Sequence, residues 1–133
     1  MFTTHQKGEI GKLKAQTRAT ELGYIVSIPA VESRYDLVLD DGKKMYRVQV
    51  KYSDEVIGGA VSVGLKTECR NSGYSRVYNK DEIDIVIAYL PATGKCYWLT
   101  PLEFDRAGSV SLRLEPTKNN QRKGVRFARD FEW

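Results

Sequence analysis

The sequence is poor in the residues that bind transition metals and cross-link secreted domains. It contains two cysteines and one histidine, and Cys69 and Cys96 lie far apart, outside any CxxC pair. A zinc site needs about four such ligands, so none is expected. Without a disulfide framework the chain is expected in the reducing cytoplasm, with both thiols free and inert.

Long apolar runs are also missing. No stretch approaches the roughly 20 apolar residues of a membrane span, and the N-terminal segment is polar, without the apolar core of a secretory signal. Neither membrane association nor export is therefore expected. The four prolines and 11 glycines are scattered rather than clustered. A chain of 133 residues, 41% hydrophobic, predicts a single domain over residues 1–133 with one core.

Basic residues only moderately outnumber acidic ones. Twenty-one lysines and arginines against 17 acidic residues give a net charge of +4. This is a modest attraction toward polyanions, and an ordinary solvated basic surface explains it equally well.

The first predicted element is a helix from about Gln6 to Leu22. Thr3 or Thr4 supplies an N-cap and Gly23 a C-terminal stop. At 100° per residue one stripe of this helix is made mostly of small residues, which suits close packing on a sheet. The stripe consists of Gly8, Gly11, Ala15, Ala19 and Leu22.

The strongest strand signal is the alternation from Met45 to Tyr52. It places Val48 and Val50 on a core face, and Arg47, Gln49 and Lys51 on a polar face. The preceding Asp41-Gly42 predicts a hairpin turn.

The other strands are predicted from shorter apolar runs, and the fold class is α/β (α+β). The segment 66–80 is polar and predicts a loop or a short helix. Thr100, Pro101 and Glu103 predict the start of another short helix. The remaining strands are expected at 24–28, 35–39, 61–65, 83–90, 95–99 and 110–114.

Asp36, Gln49 and Lys51 form the candidate active site. Asp36 precedes Gln49 by thirteen residues and Lys51 by fifteen, so the predicted hairpin brings them together. The Asp36 carboxylate, the Gln49 amide oxygen and the Val50 backbone carbonyl can bind magnesium, with water and phosphate oxygens completing the octahedron. Lys51 can then orient water or stabilise charge on a scissile phosphate. The alternative is that these residues are only polar side chains on a solvent-exposed strand face, without a catalytic role.

Glu9, early in the first helix, can reach the same metal from a neighbouring element. A glutamate near a helix start can instead serve only the helix dipole.

The order of short motifs along nearly the whole chain resembles the PD-(D/E)XK nucleases encoded in group I introns, which are homing endonucleases. The motifs are Lys7-Gly-Glu9, Gly23-Tyr24 with Val26-Ser-Ile-Pro29, Tyr35-Asp36-Leu37, Arg47-Val-Gln49-Val-Lys51-Tyr52, Lys66-Thr-Glu-Cys-Arg70-Asn-Ser-Gly73, Tyr78-Asn79, Asp81-Glu-Ile-Asp84, Lys95-Cys-Tyr97 and Ala128-Arg-Asp-Phe131.

The resemblance implies a restriction-endonuclease-like αβββαβ core, with a mixed central sheet flanked by helices. It also implies that Asp36 is the motif aspartate, Lys51 the motif lysine and Glu9 the acid of the first helix. Two residues depart from the superfamily pattern. Tyr35 replaces the proline before Asp36, and Gln49 stands where an acid is usual, although glutamine also resembles the usage of the intron-encoded group. A neutral ligand weakens metal binding, which fits a slower enzyme or an inactive relative.

DNA contacts are predicted from two basic regions. Tyr74 and Tyr78 lie within the first, which suits contacts to phosphates and groove edges, while a solvated loop or a helix C-terminus explains the same charges. The basic residues are Lys66, Arg70, Arg76 and Lys80 in the first region, and Arg122, Lys123 and Arg126 in the second. Asp84 and Tyr97 are expected to serve the fold.

The expected function is magnesium-dependent, sequence-specific cleavage of double-stranded DNA. One chain supplies one site, so cutting both strands predicts a homodimer or homotetramer matched to a roughly palindromic target. The alternatives are a Holliday-junction resolvase, a restriction-type nuclease, an inactive DNA-binding relative, and an RNA-processing factor that prefers single-stranded or hairpin RNA.

Overall fold

A computed structural model describes residues 1–69, 74–117, 119 and 123–133, without the side chains of residues 68, 69, 74 and 75. Arg70 and Arg122, two of the predicted DNA contacts, lie outside the described residues. The helices are α1 (Thr4–Glu21) and α2 (Pro101–Phe104), followed by a 3-10 turn (Ala128–Phe131). The strands are β1 (Ile25–Ser27), β2 (Leu37–Asp40), β3 (Met45–Tyr52), β4 (Val56–Ile57), β5 (Ala60–Gly64), β6 (Lys66–Cys69), β7 (Tyr74–Val77), β8 (Ile85–Leu90), β9 (Lys95–Leu99) and β10 (Ser109–Arg113).

The first helix forms as predicted. Thr3 and Gln6 make a reciprocal capping box, which satisfies two backbone N–H groups at the helix start. The small-residue stripe is buried only between Gly11 and Ala19, where a Cβ at Gly11 would lie 3.5 Å from the Val50 side chain. The predicted close packing was wrong at the two ends of the stripe. Gly8 has open space around it and Leu22 is 43% exposed, because both ends of α1 extend beyond the surface it packs on.

The central sheet has five strands in the order β1-β2-β3-β8-β9. Only the β3–β8 pair is parallel, so the sheet is mixed. The predicted hairpin joins β2 to β3, with Gly42 at φ 94°, a conformation that glycine adopts without strain.

Two hydrophobic clusters fill the described part of the structure, instead of the single core expected from composition. Along β8, Ile85 and Ile87 belong to a cluster with α1, whereas Val86 and Ala88 belong to a cluster with β5 and β10. Alternate side chains of a strand point to opposite faces, so the central sheet separates the two clusters. The result is a layer of helix, a central sheet, and a layer formed by smaller elements.

The fold class is confirmed, but the connection from β3 to β8 differs from the αβββαβ order. Among the described residues it carries β4 to β7, and the second helix, α2, comes after β9. The prediction of a loop or short helix at 66–80 was wrong, because β6 and β7 form a two-stranded antiparallel sheet of their own. A polar two-stranded sheet lacks the apolar alternation that marks a strand.

The second helix begins at its predicted capping box, made by Thr100 and Glu103 around Pro101. No helix in the described part of the chain is long and apolar enough to cross a membrane.

Candidate active site

Asp36 lies one residue before β2, at the mouth of the hairpin. Its backbone N–H donates to the Val48 carbonyl at 2.8 Å, and its carboxylate Oδ2 accepts the Val50 N–H at 3.0 Å. Both bonds cross to β3, so the backbone of β3 fixes this side chain. The strand predicted to start at Tyr35 starts at Leu37.

A cleft of about 560 Å³ brings Asp36 and Gln49 together. Lys12 of α1, Arg34 and Thr67 also line this cleft, together with the segment 28–33. Gln49 faces the cleft because it alternates with the buried Val48 and Val50. The structure therefore combines two of the predicted site residues in one concave, polar site.

The electrostatics of the cleft centre on Asp36. Burial raises the pKa of its carboxyl, and the charge of Glu9 raises it further, while the Val50 N–H, Lys12 and Lys51 lower it. A half-buried carboxyl whose ionised form is disfavoured gains from a nearby cation. This environment suits a metal ligand.

Glu9 is near enough to Asp36 to affect its pKa, but its side chain is 58% exposed and its Oε2 lies 3.4 Å from Lys12 Nζ. The described residues contain no group of three or more His, Cys, Asp or Glu side chains spaced for a metal ion. The donors present are instead two carboxylates, an amide and backbone carbonyls. This all-oxygen set fits magnesium, which keeps several water ligands.

Lys51 leaves β3 on the same face as Gln49 and reaches the neighbouring β6–β7 sheet. Its Nζ donates to the Lys66 carbonyl at 3.3 Å and lies 5.0 Å from the centre of the Tyr78 ring. Its charge still acts on Asp36. Lys51 is therefore at the border between the cleft and this small sheet.

The described members of the predicted DNA-contact set lie in two parts of the chain. Lys66 and Arg76 lie on β6 and β7, beside the cleft, and Arg76 Nη2 is paired with Glu82 at 2.8 Å. Lys80 is exposed just beyond β7. Lys123 and Arg126 are exposed in the C-terminal segment, where the Arg126 carbonyl accepts the Arg113 N–H.

Tyr78 corrects one expectation. It is 1% exposed, so its ring cannot reach a DNA groove. The side chain of Tyr74 lies outside the description.

Sequence reasoning missed two cations of the cleft, Lys12 and Arg34. Lys12 lies three residues after Glu9, one helical turn away, and this spacing was a usable signal. Arg34 lies in an irregular segment two residues before Asp36, and no periodicity marks it.

Three further residues were expected to have no catalytic part, namely Asp84, Tyr97 and Cys96, and their contacts lie within the fold. Asp84 accepts the backbone N–H of Arg47 at 2.8 Å and pairs with its guanidinium. The Tyr97 hydroxyl lies 2.8 Å from Thr93 Oγ1. Burial raises the pKa of the Cys96 thiol to about 11, so little reactive thiolate forms at neutral pH.

A family model described as PD-(D/E)XK endonuclease matches residues 2–133. The chain therefore belongs to the PD-(D/E)XK endonuclease family, and it is a DNA endonuclease. Among solved structures it is similar to a bacterial homing endonuclease, I-Ssp6803I, with a TM-score of 0.77 and 27% identity over 98% of this chain and 89% of that chain. These findings confirm the resemblance drawn from the motifs. No curated protein matches.

Proposed function

We propose that this nuclease is a magnesium-dependent, sequence-specific endonuclease of double-stranded DNA, of the homing type. The observation that supports it best is the shared cleft of Asp36 and Gln49, with the charges of Lys51 and Glu9 acting on the Asp36 carboxyl. Sequence specificity rests on the likeness to a homing endonuclease.

Asp36, Gln49, Glu9 and the Val50 carbonyl are proposed to hold magnesium. When bound, the ion would supply Lewis acidity to a phosphate oxygen and to a water molecule. Asp36 is the anchor, because its second hydrogen bond, from the Val50 N–H, fixes its direction. Gln49 contributes no charge, so the negative charge that attracts the ion comes from Asp36 and Glu9. Glu9 would have to break its ion pair with Lys12, or keep that pair while also binding the metal.

Lys51 is proposed to act on the reacting phosphate rather than on the bound duplex. A fixed ammonium beside the developing negative charge lowers the barrier, since that interaction strengthens as charge builds up. The ammonium contacts a neutral carbonyl, so its own charge remains available to the phosphate.

The nucleic-acid surface is proposed to include Lys66, Arg76 and Lys80 with Arg70, and the C-terminal Lys123 and Arg126 with Arg122. One chain supplies one Asp36–Gln49 site, and a double-strand cut needs two. A homodimer or homotetramer on a roughly palindromic target is therefore proposed, and light scattering of the pure protein would measure its size.

The proposed activity can be tested with the pure protein and genomic DNA in magnesium, calcium or EDTA, followed by sequencing of the cut ends. We expect cuts at a recurring sequence in magnesium only. Calcium fits oxygen sites but activates water poorly, so it should support DNA binding without turnover.

Parallel substrates separate the alternatives. Cutting restricted to four-way junctions would replace the proposal with a resolvase, and preference for hairpin RNA would indicate RNA processing. Salt-sensitive binding with no cutting in magnesium would indicate an inactive relative. Rapid cutting in calcium or EDTA would contradict the metal role.

A further inference from the structure

The base of the β6–β7 hairpin contacts two cations from other parts of the fold. Lys66 and Val77 are cross-strand partners there. The Lys66 carbonyl accepts Lys51 Nζ at 3.3 Å, and the Val77 carbonyl accepts Arg34 Nη2 at 2.9 Å. The two paired residues thus each hold one cation.

The same two cations lie against one aromatic ring. The Tyr78 ring centre is 5.0 Å from Lys51 Nζ and 4.6 Å from Arg34 Cζ. Both distances are within the range of about 6 Å for attraction between a cation and a ring face. Arg34 is also paired with Glu82, Nε to Oε2 at 2.6 Å, a carboxylate that it shares with Arg76.

Tyr78 itself has little freedom to move. It is 1% exposed, and its hydroxyl accepts the Thr67 hydroxyl at 2.6 Å. Its backbone N–H donates to Leu65 at 3.4 Å, and its carbonyl accepts the Arg106 N–H at 2.9 Å. A ring fixed by packing and by these bonds offers a rigid face to a flexible lysine.

The partners of Lys51 are neutral. A carboxylate would also hold the ammonium, but it would cancel the charge and compete with a phosphate. A ring face and a carbonyl attract the ammonium without cancelling its charge. In the described part of the chain, Lys51 has no ion pair within 4.0 Å.

We propose that Tyr78 is a positioning residue, whose buried ring holds the Lys51 ammonium at the edge of the cleft. This inference rests on the proposed role of Lys51. It links the hairpin that carries Lys66 and Arg76 to the reaction centre, because the ring and the Lys66 carbonyl that hold the lysine both lie at the hairpin base.

The sharpest test is a graded weakening of the ring face at constant shape. Tyr78→Phe keeps the ring and removes the bond to Thr67, and phenylalanines with two or three ring fluorines at position 78 then reduce the attraction stepwise. We expect the single-turnover cleavage rate to fall with each step, by about tenfold across the series. DNA affinity in calcium should stay within about twofold.

The matched control is the same fluorinated series at Phe104, which is fully buried in the same cluster. It should show no trend in rate. In a Lys51→Ala background, the series at position 78 should also be flat. An equal slope at Phe104, a flat series at position 78, or a slope that persists without Lys51 would overturn the proposal.

The contact is also measurable without activity. NMR of selectively labelled lysine should show a ring-current shift of the Lys51 ε-methylene, which remains in Tyr78→Phe and disappears in Tyr78→Leu. Absence of that shift in the parent would overturn the positioning contact itself. Parental cleavage by Lys51→Ala would instead refute the proposed function of the lysine, so the two failures are distinguishable.

Discussion

The two hairpins β2–β3 and β6–β7 border the same cleft but are held in place by different forces. Hairpin β2–β3 belongs to the five-stranded sheet, and Leu37, Leu39 and Val48 anchor it with exposures of 1% or less. Hairpin β6–β7 is a separate two-stranded sheet. Its base is attached through Lys51, Arg34 and the ring of Tyr78.

The difference in attachment suits the two hairpins to different roles. Apolar packing is non-directional and strong, so β2–β3 can hold Asp36 and Gln49 rigidly. Hydrogen bonds from cations are directional and exchange readily with water or phosphate. The polar contacts of β6–β7 are therefore easier to exchange for phosphate contacts than the packing that holds β2–β3.

Among the substitutions that test hairpin β2–β3, Asp36→Ala should have the largest effect. It removes the only hairpin carboxylate proposed to bind metal, so cleavage should fall to background while the fold and DNA binding are largely kept. Single-turnover cleavage, DNA affinity and thermal unfolding measure this, with Asp130→Ala as a surface control. Parental cleavage by Asp36→Ala would refute the site.

Leu37→Ala tests the packing that holds the same hairpin. Truncating a fully buried leucine costs about 2–5 kcal/mol in the free energy of unfolding, which urea titration measures. Leu102→Ala is the control, since Leu102 is 87% exposed and should change stability by about 0.5 kcal/mol or less. A loss below about 1 kcal/mol for Leu37→Ala would show that this hairpin is not anchored by its core face.

Lys51→Ala tests the point where the two hairpins meet. The cleavage rate should fall by about 10²-fold or more, with DNA binding little changed. Arg126→Ala should show the opposite pattern, with weaker binding and a salt slope lower by about 1. If Lys51→Ala lost only affinity, the lysine would be a DNA contact and the catalytic assignment would have to be abandoned.

Arg76→Ala tests the polar hairpin. The pair with Glu82 involves an arginine side chain that is 53% exposed, so its loss should cost at most about 1 kcal/mol in unfolding free energy. DNA affinity should fall as it does for Arg126→Ala. A cost comparable to that of Leu37→Ala would mean that ion pairs anchor β6–β7 as strongly as packing anchors β2–β3.

The smallest expected effect concerns the raised pKa of Asp36. Because the folded-state pKa lies above the ordinary value of 3.8, ionisation of Asp36 destabilises the metal-free fold. The cost begins as the pH rises past the ordinary value, is complete above the raised pKa, and is absent again below 3.8. Asp36→Asn keeps an oxygen for the Val50 N–H. It should unfold at a higher temperature than the parent at pH 7, with no difference near pH 3.

Local patterns predicted the elements that follow a single period. The N-cap at Thr3, one of the two predicted candidates, the strand Met45–Tyr52 and the turn at Gly42 were confirmed, since capping, alternation and glycine geometry operate over a few residues. The convergence of Asp36 and Gln49 followed from that hairpin, because a short turn leaves little freedom in register.

The strands β6 and β7, the burial of Tyr78 and the participation of Lys12 and Arg34 were decided by tertiary structure. The sequence by itself determined the family, the helix, the hairpin and the order of the site residues along the chain. Only the folded structure placed the Tyr78 ring between the core and Lys51, because that contact joins a residue of the central sheet to one 27 positions later, directly after β7. No local period encodes the meeting of two sheets, which is set by how their buried faces pack.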